Sequence, residues 1–191
     1  MVYYLILNET YLNKGNNMYR IRKGTQDDIK QIAGIYDRIL TEEESGRTVI
    51  GWVRGVYPTA NTAQEALDAG ELFVLEDEGK VQAAARINRL QVPEYANAKW
   101  EYDAPEDRIM VLHTLVVDPV AGGHGYGSGF VDFYEKYALE QGCPYLRMDT
   151  NEKNAAARRL YARLGYKEIG IVDCVFNGIS NVRLVCLEKA L

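Results

Sequence analysis

The sequence predicts a single α/β domain built on a mixed, mostly antiparallel sheet of about seven strands. Three observations carry that prediction. The chain has 191 residues, 47% of them hydrophobic and 26% charged, which is enough to bury one sizeable core. Apolar runs bounded by turn residues recur at 19–22, 71–76, 81–90, 109–117, 145–150, 166–173 and 182–187, with hairpin turns at Asp77-Glu78-Gly79-Lys80 and Asn177-Gly178. Between 109–117 and 145–150 the periodicity is helical, so that strand pair is expected to be a parallel, right-handed crossover.

Residues 1–17 read apart from the rest. Their apolar run at 3–7 is too short for a signal segment, lacks a basic flank and ends in Asn8-Glu9-Thr10. They are expected to be an accessory N-terminal extension to a domain spanning 18–191, and no export or membrane segment is expected. After Gly24, Thr25 with Asp28 predicts an N-cap for a helix carrying Ile29, Ile32, Ala33, Ile35, Tyr36 and Ile39 on one face. Trp52 and Tyr57 follow among glycines, and Thr62 with Glu65 predicts a capping box for a short helix ending near Gly70. Residues 91–107 are polar, aromatic and punctuated by Pro93 and Pro105, so they are expected to run over the surface, covering substrate or pairing subunits in a possible homodimer.

The richest stretch is 115–161. Strand residues Leu115, Val116 and Val117 lead through Asp118-Pro119 into Gly122-Gly123-His124-Gly125-Tyr126-Gly127-Ser128-Gly129. Glycines there permit positive φ and remove the Cβ atoms that would hold a ligand away from the backbone. Directly after them Phe130, Phe133, Tyr134, Tyr137 and Ala138 recur at helical spacing. A helix start thus points free N–H groups and its positive dipole end at one spot, a cradle for phosphate. A Walker loop would need Gly-Lys-Ser/Thr where Gly127-Ser128-Gly129 stands, and Gly125-x-Gly127-x-Gly129 is not the Rossmann spacing. A formal charge of −5 argues against nucleic acid or an anionic membrane surface as partner, so an anionic ligand would depend on local donors such as His124, Lys153, Arg158 and Arg159. Cys143, Cys174 and Cys186 are odd in number and lack metal-ligand spacing. Buried, reduced thiols in a cytoplasmic protein without a metal are expected.

In these residues the chain resembles the GNAT acetyltransferase superfamily. The resemblance rests on the Leu-x-Val-x-Pro strand end at Leu115 to Pro119, the glycine loop from Gly122 to Gly127, and the Asn-x-x-Ala-x-x-Leu-Tyr-x-x-x-Gly-Tyr segment from Asn154 to Tyr166. It departs from the family where Gly122 replaces the usual Arg or Gln. The resemblance implies two splayed parallel strands with the pantetheine arm of acetyl-CoA between them. Leu115, Val116 and Val117 would give main-chain contacts, and Gly123, His124, Gly125, Tyr126, Gly127, Ser128 and Asn154 would give the rest of the cofactor site. It implies Tyr161 as the residue acting toward the leaving thiolate, and Trp52 and Tyr57 as residues lining the acceptor pocket.

Acetylating an amine requires a base, because an amine of pKa near 10 is only about 0.1% neutral at pH 7, a cost of roughly 4 kcal/mol. The family position for that role, two residues before Leu115, holds His113, whose ordinary pKa suits it. Glu76 is a weaker candidate, and strand alternation would turn Thr114 away from the site. The resulting expectation is an acetyl-CoA-dependent N-acetyltransferase using direct transfer in a ternary complex. Its acceptor would be a small-molecule amine or a protein N-terminus. The competing expectation is a non-catalytic acyl-CoA-binding module on the same scaffold.

Overall fold

The computed structural model describes residues 3–6, 9–14 and 17–191. Its strands are β1 (Tyr3–Ile6), β2 (Glu9–Lys14), β3 (Asn17–Lys23), β4 (Leu72–Asp77), β5 (Lys80–Asn88), β6 (Ile109–Val117), β7 (Tyr145–Asn151), β8 (Lys167–Phe176) and β9 (Ile179–Ala190). They form one sheet in the order β1-β2-β3-β4-β5-β6-β7-β9-β8, in which β6–β7 is parallel and the other pairs are antiparallel. The seven strands expected from the sequence are β3 to β9. Among residues 1–17, β1 and β2 extend the sheet beyond β3 as further antiparallel edge strands. Both predicted hairpin turns have the two successive positive-φ residues that tight hairpins need, Glu78-Gly79 (48° and 75°) and Asn177-Gly178 (49° and 78°).

The helices are α1 (Asp28–Glu44), α2 (Ala60–Asp68), α3 (Tyr126–Glu140) and α4 (Ala155–Arg163). Two predicted helix starts shift. Thr25 does bond Asp28, its N–H and hydroxyl donating to Oδ2 at 2.8 and 2.9 Å, but α1 begins at Asp28 itself, so the pair closes the turn ahead of the helix. For α2 the capping box lies at Thr59 and Thr62, three residues before the expected one. Thr59 is extended (φ −127°), and its N–H donates to the Thr62 hydroxyl at 3.1 Å.

Side-chain alternation sorts the core into two faces. Phe73, Leu75, Ala83, Ala85, Met110 and Leu112 pack with Phe130, Phe133 and Tyr134 of α3 and Tyr161 of α4. Leu72, Val74, Val81 and Ala84 face the other way, against Ile32, Ile35, Tyr36 and Ile39 of α1 and Ala63 and Ala66 of α2. A third cluster joins Ile109, Val111, Val182 and Leu184 to Tyr95. The phase changes inside β6. Met110 and Leu112 belong to the α3 side, yet beyond Thr114 it is Leu115 and Val117 that pack there, while Val116 turns to α1. Thr114 has φ +53°, and the β5–β6 register slips between Ala84 and Arg86. This bulge inserts one residue and overturns the expectation that Thr114 faces away from the site.

Candidate active site

β6 and β7 are paired only from Ile109↔Tyr145 to Leu112↔Met148. Beyond that point they separate, leaving residues 113–117 of β6 without partners on β7. The gap opens into a cavity of about 440 Å³ lined by Leu115, Val116 and Val117, by Asn154, Ala157, Leu160 and Tyr161 of the α4 segment, and by Trp52, Tyr57, Thr114 and Asp149. The bulge and the splay thus bring both candidate acceptor residues, the three β6 residues, Asn154 and Tyr161 to one space. Trp52 and Tyr57 meet edge to face with centroids 5.9 Å apart.

At one end of the gap lies the turn into α3. Gly123 and Gly125 have φ of 85° and 77°, a region costly for residues with a Cβ. Gly125 is the N-cap of α3 and supplies no side-chain cap, and the N–H groups of Tyr126 and Gly127 have no acceptor among the described residues. This backbone fits an anion. Not every residue of the loop serves it. The Tyr126 side chain is buried and its hydroxyl donates to Asp77 Oδ2, so only its N–H is available to the cradle. The Ser128 hydroxyl donates to Gly125 O at 3.0 Å. His124 stacks on Tyr126 and lines a different cavity with Lys30, Arg38, Asp77 and Asp118. Gly129 is a packing glycine: a Cβ there would lie 1.9 Å from the buried Tyr19 hydroxyl. Of the expected local cations, Arg158 is held by Glu168 at 2.7 and 2.8 Å. Asn154 caps α4, its Oδ1 accepting from Ala157 N at 3.1 Å.

Tyr161 is 6% exposed and its hydroxyl donates to no group among the described residues, although it lines the cavity. Burial, and then the nearby Asp149 charge, raise its pKa well above the usual phenol range, so the hydroxyl stays protonated at neutral pH. Tyr57 is pushed up to about 12, mainly by burial, and its hydroxyl is hydrogen-bonded to that of Thr114.

The two expected bases are altered by their surroundings. Glu76 is bound by Arg20 Nη2 at 2.9 Å and Arg22 Nη2 at 2.7 Å, and although burial works against it, the two guanidinium groups lower its pKa. It is occupied structurally. His113 lies outside the first cavity, lining a second of about 480 Å³. Its Nε2 is 2.9 Å from Asn88 Oδ1. Since the Asn88 amide donates to Glu71 and its Oδ1 accepts from Leu90 N, Nε2 must be the protonated nitrogen. Burial, then the charge of Arg86, push its pKa down to about 4. His113 is thereby held neutral at pH 7, below the ordinary imidazole value on which its candidacy as base rested.

Asp149, which sequence reasoning passed over, sits one residue past the last β6–β7 pair and lines both cavities. Its carboxylate opens onto them but is otherwise surrounded by protein. Burial pushes its pKa up to about 7, against the Tyr95 hydroxyl, which donates to Oδ2 at 2.8 Å and pulls it down. Residues 91–107 run over the surface as expected, but Tyr95 is 2% exposed, meets Trp100 edge to face and ties the segment to the core. Tyr95 holds the Asp149 carboxylate by this bond, and Gln91, Val92 and Pro93 line the second cavity. The available signals were a carboxylate within the apolar run 145–150 and an aromatic pair in a polar segment.

Among the described residues no group of three or more His, Cys, Asp or Glu side chains could hold a metal, and no helix is long and apolar enough to cross a membrane. A parallel pair splayed at a bulge, with a glycine-rich helix start at one end and a buried Tyr and Asp along its walls, defines an acyltransferase-type α/β domain. The chain belongs to the acetyltransferase (GNAT) family, whose sequence profile matches residues 30–166. Solved structures share the fold. An acetyltransferase of the GNAT family from Streptococcus agalactiae 2603 has a TM-score of 0.76 at 22% identity, covering 91% of this chain and 95% of its own. One from Listeria monocytogenes 4b F2365 has a TM-score of 0.71 at 22% identity, covering 95% and 99%. The yncA protein of Salmonella typhimurium, solved with its cofactor acetyl-CoA, has a TM-score of 0.65 at 18% identity, covering 90% and 92%. A search of curated protein sequences found no match.

Proposed function

We propose that this acetyltransferase is an acetyl-CoA-dependent N-acetyltransferase that moves an acetyl group to an amine by direct transfer in a ternary complex, with Asp149 as general base. The observation that carries this reading is the Asp149 carboxyl, raised to about 7 at the junction of the two cavities, with the Tyr161 hydroxyl lining the first of them. The free N–H groups at the start of α3 and the unpaired stretch of β6 fit the pyrophosphate and pantetheine of acetyl-CoA. When bound, acetyl-CoA supplies an activated acetyl thioester.

Asp149 takes a proton from the acceptor ammonium, and a base of pKa about 7 leaves a gap of only about 3 pK units to an ammonium of pKa about 10 while staying substantially ionised at neutral pH. The amine nitrogen then forms its bond to the acetyl carbon as the carbon–sulfur bond breaks. A backbone N–H near Val116 meets the developing oxyanion. Tyr161, kept protonated by burial, donates a hydrogen bond to the departing sulfur, which takes up the second proton that the nitrogen loses as the amide forms and leaves as the thiol. None of the three cysteines lines either cavity, so the chain offers no acyl carrier there for a two-step route.

Calorimetric titration with acetyl-CoA, with CoA, ATP and NAD as controls, followed by CoA release over a panel of amines, tests the reading. Saturable binding of the CoA compounds alone, and turnover with at least one amine, are expected. Tight binding without turnover would favour the non-catalytic module, and binding to none would overturn both.

A further inference from the structure

The second cavity carries information about the acceptor. It meets the first at Tyr57, Thr114 and Asp149, and its wall includes Arg86 and His113. Arg86 Nε donates to Glu71 Oε2 at 2.6 Å, and Asn88 Nδ2 donates to the same oxygen at 2.8 Å. Glu71 is in this way fixed by two donors and fixes the guanidinium plane in return. Nη1 and Nη2 of Arg86, the end-on pair of the fork, have no acceptor among the described residues. Arg86 is half-buried, and its charge is felt by both His113 and Tyr57 on the same wall.

With His113 neutral, Arg86 is, among the described residues, the one cationic side chain lining the cavity. The acidic groups lining it are Asp149 and Glu65, of which Glu65 is exposed at the rim and accepts from Asn61 Nδ2 at 2.6 Å. The interior thus offers an ammonium-facing carboxylate and an unfilled planar fork whose geometry matches a carboxylate's two oxygens.

We infer that the acceptor is a small zwitterion of the amino-acid class, with its carboxylate held end-on by Arg86 and its amine presented to Asp149. This rests on the acetyltransferase reading and narrows it. A protein N-terminus would bring a neutral peptide carbonyl to the fork, one uncharged acceptor where the fork's two donors match the two oxygens of an anion. A volume of about 480 Å³ suits a small molecule.

The test compares each free amino acid with its own primary amide, both as substrates in CoA release and as ligands in calorimetry with CoA present. Wild type is compared with Arg86→Gln and Arg86→Lys. At least one amino acid should exceed its amide in kcat/KM by roughly 10- to 100-fold, the range for hydrogen bonds to a charged group. Arg86→Gln should bring that ratio to within about threefold of unity, with acetyl-CoA affinity unchanged, and Arg86→Lys should retain part of it. Should Arg86→Gln fail to fold, Glu71→Gln, which frees the guanidinium from its anchor, is expected to shrink the same ratio. Equal use of acid and amide, loss of both alike in Arg86→Gln, or turnover confined to amines without an acidic group would overturn the inference while leaving acetyl transfer standing. Failure to bind acetyl-CoA would instead break the acetyltransferase reading on which the inference rests.

Discussion

The turn between β6 and α3 and the wall of the second cavity, formed by β5, residues 91–93 and Asp149, are made of different materials. The turn works through backbone: positive φ at Gly123 and Gly125 and unpaired N–H groups at Tyr126 and Gly127. Its parts are neighbours in sequence. The wall works through side chains brought together from distant positions, with Tyr95 bonded to Asp149 and Asn88 to His113 across four chain segments. A backbone site tolerates side-chain change and leaves a spacing behind it. A side-chain site leaves only isolated polar residues in apolar runs, and its chemistry is set by burial that spacing does not encode.

The comparison can be broken at either end, and the largest effect is expected on the wall. Asp149→Asn should lower kcat/KM by about 10²- to 10⁴-fold, the usual worth of a general base, while acetyl-CoA affinity by calorimetry stays within about threefold. A parallel loss of affinity would make Asp149 a packing residue. The same variant should be more stable than wild type. In the unfolded chain this carboxyl titrates near ~3.9, and in the fold at about 7, so the folded state holds the extra proton between those values. Its stability contribution is complete below the unfolded pKa and is lost as pH rises through 7, a loss of at most about 4 kcal/mol. Thermal unfolding should accordingly show the variant's advantage widening from pH 5 to pH 8.

Next in size, Tyr161→Phe should reduce kcat by about 10- to 100-fold with acetyl-CoA affinity unchanged, since removing a hydrogen bond to developing charge costs a few kcal/mol at most. Equal losses in both would assign the ring to packing alone. Gly129→Ala should destabilise the fold by about 1–3 kcal/mol through the clash with Tyr19, read as a lower denaturation midpoint, without altering the cradle. Gly125→Ala should instead weaken acetyl-CoA binding by roughly tenfold, the cost of about 1–2 kcal/mol for a Cβ in the left-handed region, with a smaller effect on stability if the turn relaxes. The smallest effect is expected for His113→Gln, which should leave the ionisation controlling the rate profile in place. Disappearance of that limb would restore His113 as the base.

The sequence made the glycine turn and the starts of α3 and α4 legible because glycine spacing, a helix start and the Asn154-to-Tyr166 segment are all local. The seven strands β3 to β9 and both hairpin turns were legible for the same reason. Thr114 was misplaced because a bulge inserts one residue without a sequence marker as plain as glycine, and every later residue of β6 changes face with it. The surroundings of His113 and Glu76 were not legible because burial and Arg86, Arg20 and Arg22, which shift their pKa values, reach them through pairing of separate strands. The Tyr95–Asp149 hydrogen bond was not legible because it joins two segments far apart in the chain.

The most direct measurement is the pH dependence of kcat/KM for wild type and Asp149→Asn with one saturable amine acceptor. The account predicts a wild-type rise governed by an ionisation near 7 that is absent from the variant. A variant profile that keeps the same limb would contradict it, because the base would then lie elsewhere and the junction of the two cavities would not be the seat of proton transfer.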